Sequence, residues 1–246
     1  MTTNSKPQSE STRERIKREA RLLFATRGID GVSTREIMKA SGQRNTASLG
    51  YYFGSKENLI RELILDGAKI IDERRNAALD ELEASGGPAT VRDVTDILIF
   101  TAVRMSPEQS TQEDSYSRFI THIGQHHPAL FWETLGDTWL RGFKRCFEHM
   151  RRLMPDMPKS VKTQRIQFVA SYLGSVLSMR ERALTSNEHF AGLWALDGSL
   201  HHFSQTMAAI VNQPYDEAQF DPAEISRTHE DERVTAALEV GAAPPQ

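Results

Sequence analysis

Residues 12–27 place Ile16, Ala20, Leu23 and Phe24 at i, i+4, i+7 and i+8, a spacing that predicts one amphipathic helix with a single buried stripe. Gly28 follows as a glycine C-cap. A shorter pattern comes next. Ser33 and Glu36 are spaced as a capping box, Val32 and Ile37 flank them as a staple, and Gly42 ends the helix they start. A third helix starts at Asn45 or Thr46. Its Leu49 and Phe53, four apart, turn one face inward and leave Thr46, Ser48, Tyr51 and Tyr52 facing other directions. The stretch from Ser33 to Lys56 therefore reads as helix, tight polar turn, helix. Ser55 then caps a helix with Leu59, Ile60, Leu63 and Ile64 inward, and its pattern continues through Gly67 to Ala84, where Ser85-Gly86-Gly87-Pro88 stops it.

From Thr90 onward the periodicity is helical throughout, so the fold class is all-α. Helices are expected over 90–105, over a short span ending at His126-His127-Pro128, over 128–153, over 161–184 and over 188–211, with a polar loop at 106–115. The 128–153 helix carries Trp132, Leu135, Trp139, Phe143 and Phe147 along one stripe, which by spacing is either plain core or the wall of a pocket. The last two helices are apolar on more than one side. One core needs one stripe, so the surplus points to a second copy of the chain and a four-helix interface, with Phe168, Leu173, Val176, Leu177, Leu200, Phe203 and Met207 as its expected contacts. After Pro214 the pattern fails. The organisation expected is a flexible arm (1–10), a helix-turn-helix unit (11–65), a helical domain (66–214) and an acidic, mobile tail (215–246).

Composition narrows the function. With 246 residues and 39% hydrophobic content the chain can bury a real core, and it holds neither an apolar run of about 18 residues nor a secretory leader, so the cytoplasm is the expected location. Net charge is −3, but residues 1–65 hold 12 Lys and Arg against 7 Asp and Glu, leaving −8 for the remainder. A basic module joined to an acidic one is the footprint of a protein that meets phosphate at one end. Cys146, the sole cysteine, reads as a small buried apolar residue. His122, His126 and His127 match no compact metal motif, no glycine-rich phosphate loop or nucleophile motif is present, and neither a cofactor nor an enzymatic activity is expected.

A helix of this kind fits the major groove of DNA, with its first turn against base edges. Arg44, Asn45, Thr46 and Ser48 are then the expected base readers, with Thr34, Tyr51 and Tyr52 beside them. Lys56, at a helix start that already favours anions, makes a phosphate seat. Arg13, Lys17 and Arg21 lie off the buried stripe of the first helix, where they are expected to brace the DNA backbone.

The segment from about Thr12 to Leu65 resembles the tetracycline-repressor (TetR) family of bacterial transcription regulators. The resemblance rests on Ala20, Leu23, the Phe24-Ala25-Thr26-Arg27-Gly28 ending, Gly31-Val32-Ser33-Thr34, Ile37, Ala40 and Gly42, then Leu49, Tyr51, Phe53, Ser55, Lys56, Glu57 and Leu59. Two departures stand out. One extra residue between Gly42 and Leu49 lengthens the turn and leaves the first base-reading residue open, and Gly50 occupies a position that is often tyrosine, so the helix can approach either the groove or the first helix more closely. The resemblance implies a homodimer on a palindromic DNA operator, a C-terminal domain that binds a small effector, and release of a repressor by that effector. It turns the aromatic stripe into an effector wall of Trp132, Trp139 and Phe143, joined by Phe100, Tyr116, Phe119 and Tyr172, with Arg104 or His122 to orient an apolar ligand. The competing expectation is an effector-free protein whose second domain only dimerises or docks a partner.

Overall fold

Eleven α-helices are found among the residues that the structure, a computed structural model, describes: 10–103, 115–186, 190–196 and 198–216. The expected arm, the acidic tail beyond residue 216 and Arg104 lie outside these. Helix α1 (Thr12–Arg27) is capped by the Ser11 hydroxyl and buries Ile16, Ala20 and Phe24. Gly28 ends it at φ 73°, a conformation that favours glycine, and a Cβ there would stand 2.7 Å from Nε2 of His122 and have to displace that ring. The capping box starts α2 (Thr34–Ala40). Hydrogen bonds from the Ser33 hydroxyl and amide, then from Arg27, hold the Glu36 carboxyl down to about 2. Helix α3 (Ala47–Phe53) has no cap from Thr46; instead the Asn45 side chain accepts from the Ala47 amide at 2.9 Å.

Helix α4 (Lys56–Ala84) is the connector, 29 residues and so roughly 40 Å long. Its first half closes the N-terminal core with Leu59, Ile60, Leu63 and Ile64, and its second half enters the rest of the bundle. The cations of α1 act here. Arg13 pairs with Glu62 at 2.5 Å and lies over the Phe53 ring, Lys17 pairs with Asp66 at 2.6 Å, and Arg21 donates to the Ser115 hydroxyl at 3.2 Å. Each has a partner within the chain, a carboxylate on α4 or the hydroxyl just before α6, and these contacts tie α1 in place.

The second half contains α5 (Val91–Ala102), α6 (Tyr116–His126), α7 (Pro128–Leu135), α8 (Arg141–Leu153), α9 (Lys159–Ser186), α10 (Ala191–Trp194) and α11 (Ser199–Asn212). The continuous helix expected over 128–153 is broken. Gly136, at φ 52°, ends α7, and a 3-10 turn at Thr138–Leu140 leads into α8. Likewise the helix expected over 188–211 is divided into α10 and α11. Helices α6 and α8 begin without a side-chain cap of their own, and each takes a carboxylate from another helix. Glu181 on α9 accepts from the amides of Ser117 (2.7 Å) and Arg118 (3.1 Å), and Asp72 on α4 accepts from the amide of Gly142 (2.8 Å). Among the described residues no helix is long and apolar enough to cross a membrane.

Candidate nucleic-acid interface and an interior cavity

The face built by α2, the turn and α3 is polar and open. Arg44, Asn45, Thr46 and Tyr51 are exposed, Tyr51 to 84%, while Thr34, Ser48 and Tyr52 are half-buried. Leu49 and Phe53 fix α3 from beneath, and Tyr52 packs edge-on against Tyr51 at 5.0 Å. Arg35 and Lys39, not singled out by the sequence reading, are exposed on α2 and, like Arg44, make no ion pair among the described residues. They extend the cationic face along the neighbouring helix. Lys56 differs. Its Nζ donates to the Ile29 carbonyl at 2.5 Å and lies 5.7 Å over the Phe24 ring, which holds its charge close to the start of α4.

Gly50 lies mid-helix on the exposed side, and a Cβ there would meet nothing within 4 Å. Close approach to α1 is therefore not its reason. Gly50→Ala is expected to raise stability by about 0.5–1 kcal/mol through helix propensity, read as a higher urea midpoint. Loss of DNA affinity in that stabilised variant would locate a close backbone contact at residue 50.

Behind the connector lies a cavity of about 380 Å³, walled by α4, α6, α7, α8 and α9. Trp132, Trp139 and Phe143 line it as the aromatic stripe predicts, and Tyr116 joins them, its buried hydroxyl donating to the Ile64 carbonyl at 2.9 Å. The break at Gly136 does not scatter the stripe, because the turn that follows brings Trp139 and Phe143 back onto the same space. The other expected ligand residues are elsewhere. Phe119 is fully buried against Phe24, in the core shared with the N-terminal helices. Tyr172 packs edge-on against Phe203, and Phe100 lies beside His201 at the surface. His122 stacks on His126 and lines a separate, more polar cavity of about 420 Å³ with Arg118 and Arg182; burial, then its histidine neighbours, lowers its pKa.

The sequence reading missed the polar groups of the apolar cavity. Asp72 and Arg75 line it from α4, on the same stripe as Ile64, Ala68 and Leu79, where their polar character rather than their spacing hid them from the hydrophobic pattern. Nearby Cys146 is fully buried and burial pushes its thiol up to about 11. Among the described residues no cluster of His, Cys, Asp and Glu could hold a metal ion.

The expected interface residues divide. Leu173, Leu177, Phe203 and Met207 are buried inside their own chain, Leu173 and Leu177 partly as cavity wall, so they are core rather than contacts. Phe168 is 53% exposed, and Val176 and Leu200 are half-buried. Met179 stands 11 residues after Phe168, three helical turns on the same face, and is also exposed. Phe190, Leu193 and Leu196 add a second apolar patch around α10.

Residues 16–63 match the sequence model of bacterial regulatory proteins, tetR family. No curated protein matches the chain. The fold is similar to that of a putative tetR family transcription regulator from Shewanella sp. PV-4, at 13% identity and a TM-score of 0.57, covering 83% of this chain and 100% of that one. It is also similar to an alanine-substituted mutant of the HlyIIR protein, at 17% identity and a TM-score of 0.53, covering 85% and 100%.

Proposed function

We propose, from the match of residues 16–63 to the tetR family of bacterial regulatory proteins, that this chain is a DNA-binding transcription regulator that represses from a palindromic operator and is released by a small apolar effector. The observation that carries the reading is the position of α6. One side of α6 presents Tyr116 and Ile120 to the cavity, and the other packs Phe119 on Phe24 and sets His122 against Gly28 at the end of α1. Tyr116 also ties α6 to the connector through the Ile64 carbonyl. A ligand that wedges Tyr116 and Ile120 outward thus moves the two elements on which α2 and α3 are mounted. The effector needs differential affinity for the two arrangements, and a preference of about 100-fold shifts the equilibrium by roughly 2.7 kcal/mol.

A second copy of the chain supplies the two-fold symmetry that a palindrome requires. The exposed Phe168 and Met179 face of α9, with Val176 and Leu200 beside it, is the surface that copy would cover. Arg44, Asn45, Thr46, Ser48 and Tyr51 read bases in this proposal, with Thr34, Tyr52 and Lys56 on the phosphates.

Selection of duplexes from a random pool at two salt concentrations tests the reading: an enriched inverted repeat with salt-sensitive affinity is expected. Failure of a folded dimer to enrich any motif would return the chain to the class of partner-docking proteins. Arg44→Ala is expected to weaken binding by about 1–3 kcal/mol and to relax preference at one base position, whereas Lys56→Ala should weaken all sequences alike and reduce the salt slope by about 1. A base-specific change from Lys56→Ala alone would reverse the two roles.

A further inference from the structure

The cavity just described holds a charge that an apolar ligand has no use for. Arg75 is 6% exposed, and its stem is fixed, since a Cβ on Gly142 would already come within 3.0 Å of its Cβ and Cγ. Its guanidinium carbon lies 5.3 Å from the centre of the Phe143 ring. Nε donates to the Thr101 hydroxyl and Nη2 to the Leu98 carbonyl, both at 3.3 Å. Nη1 makes no hydrogen bond among the described residues, and Arg75 makes no ion pair there.

Burial depresses the pKa of Arg75, yet a guanidinium does not lose its proton in a protein. A buried cation is ordinarily matched by an anion. Lys17, the other buried cation among the described residues, follows that rule with Asp66 at 2.6 Å. Arg75 has no anion in contact. Asp72, a buried carboxylate on the same wall, attracts it at longer range, but accepts its hydrogen bonds from the Gly142 amide and Nδ2 of Asn76, each at 2.8 Å, rather than from the guanidinium. The remaining wall is mostly aromatic and aliphatic, with Ser117, Thr121, Gln125, Ser171 and the Tyr116 hydroxyl as its uncharged polar groups.

We propose that the cavity takes a carboxylate on an apolar body, a fatty or aromatic acid whose anionic head pairs with Arg75 while its body lies against Trp132, Trp139 and Phe131. The inference rests on the effector reading of this cavity and adds the ligand's chemical class. A planar fork with one free edge suits a carboxylate, and exclusion of water strengthens the pair.

Two matched pairs of probes test it on the full chain by titration calorimetry: decanoate against decanol, below their aggregation concentrations, and naphthoate against naphthalenemethanol. In the parent protein at least one acid is expected to bind roughly 10- to 100-fold tighter than its alcohol, as a charge-assisted hydrogen bond implies. Which pair shows the difference separates a fatty from an aromatic ligand. In Arg75→Met the acid is expected to lose far more affinity than its alcohol, so that the preference vanishes. An alcohol that binds the parent as tightly as its acid in both pairs overturns the assignment while leaving the cavity an effector site. Silence from all four probes overturns the effector reading and the inference with it. The acid-to-alcohol ratio in the parent decides the matter even if Arg75→Met does not fold.

Discussion

Glu181→Ala is expected to lower the folding free energy by roughly 3–5 kcal/mol, as loss of one partner from a buried charge pair does. Glu181 is 7% exposed and stands on α9, yet its bonds go to α6. Its carboxylate accepts from the amides of Ser117 and Arg118 and from Nε of Arg118 at 3.0 Å. Ser115, the residue in position to cap α6, makes no cap hydrogen bond of its own. Truncation therefore orphans two amides at the positive end of a helix and the Arg118 side chain, itself 11% exposed. Glu181→Gln retains an acceptor and should cost less than half as much. Urea unfolding followed by circular dichroism checks both. A loss below about 1 kcal/mol for the alanine variant would mean that water replaces the carboxylate at this helix start.

Because α6 joins the cavity to α1, the same substitution has a functional reading at urea concentrations well below its midpoint. A loosened α6 start frees Tyr116 and Phe119 together, so operator affinity should fall before global unfolding begins. Function and stability separate here only because one side of this short helix faces the cavity and the other packs on α1, within one continuous core.

The helix-turn-helix unit was legible because its signals are local. A capping box at Ser33 and Glu36, a glycine after each short helix and a serine before α4 act within a few residues, and α1 and α4 follow the boundaries that the pattern sets. What escaped the pattern is tertiary. The α1 cations sit off the apolar stripe, where sequence cannot distinguish a phosphate partner from Glu62, Asp66 or Ser115. Leu173, Leu177, Phe203 and Met207 are apolar on helices with two apolar sides, and periodicity does not say which side meets the chain's own core. The break at Gly136 interrupts an otherwise unbroken apolar stripe, so only its backbone conformation reveals it. Asp72 and Arg75 are polar residues at buried positions, and their burial follows from the approach of α8 at Gly142.

Asp72→Ala is the second large effect, expected at about 2–4 kcal/mol from unsatisfied buried donors. The Gly142 amide would lose its acceptor at the start of α8, and Nδ2 of Asn76 would keep only the Asp72 backbone carbonyl at 2.8 Å. Asn76 cannot turn over to compensate, since its Oδ1 already accepts from Nε of Arg141 and from Nη1 of Arg145. For the same reason Asp72→Asn is expected to recover only part of the loss: one face of the new amide accepts from Gly142, and the other sets NH₂ against NH₂. Equal stability of the asparagine variant and the parent, by urea midpoint, would show that Asn76 does reorient. The two carboxylates hold different helices and share no hydrogen-bond partner, so their losses should add to within about 0.5 kcal/mol. Together they approach the whole stability of an ordinary domain, about 5–15 kcal/mol. The double variant Asp72→Ala with Glu181→Ala is therefore expected to be largely unfolded, while each single variant folds.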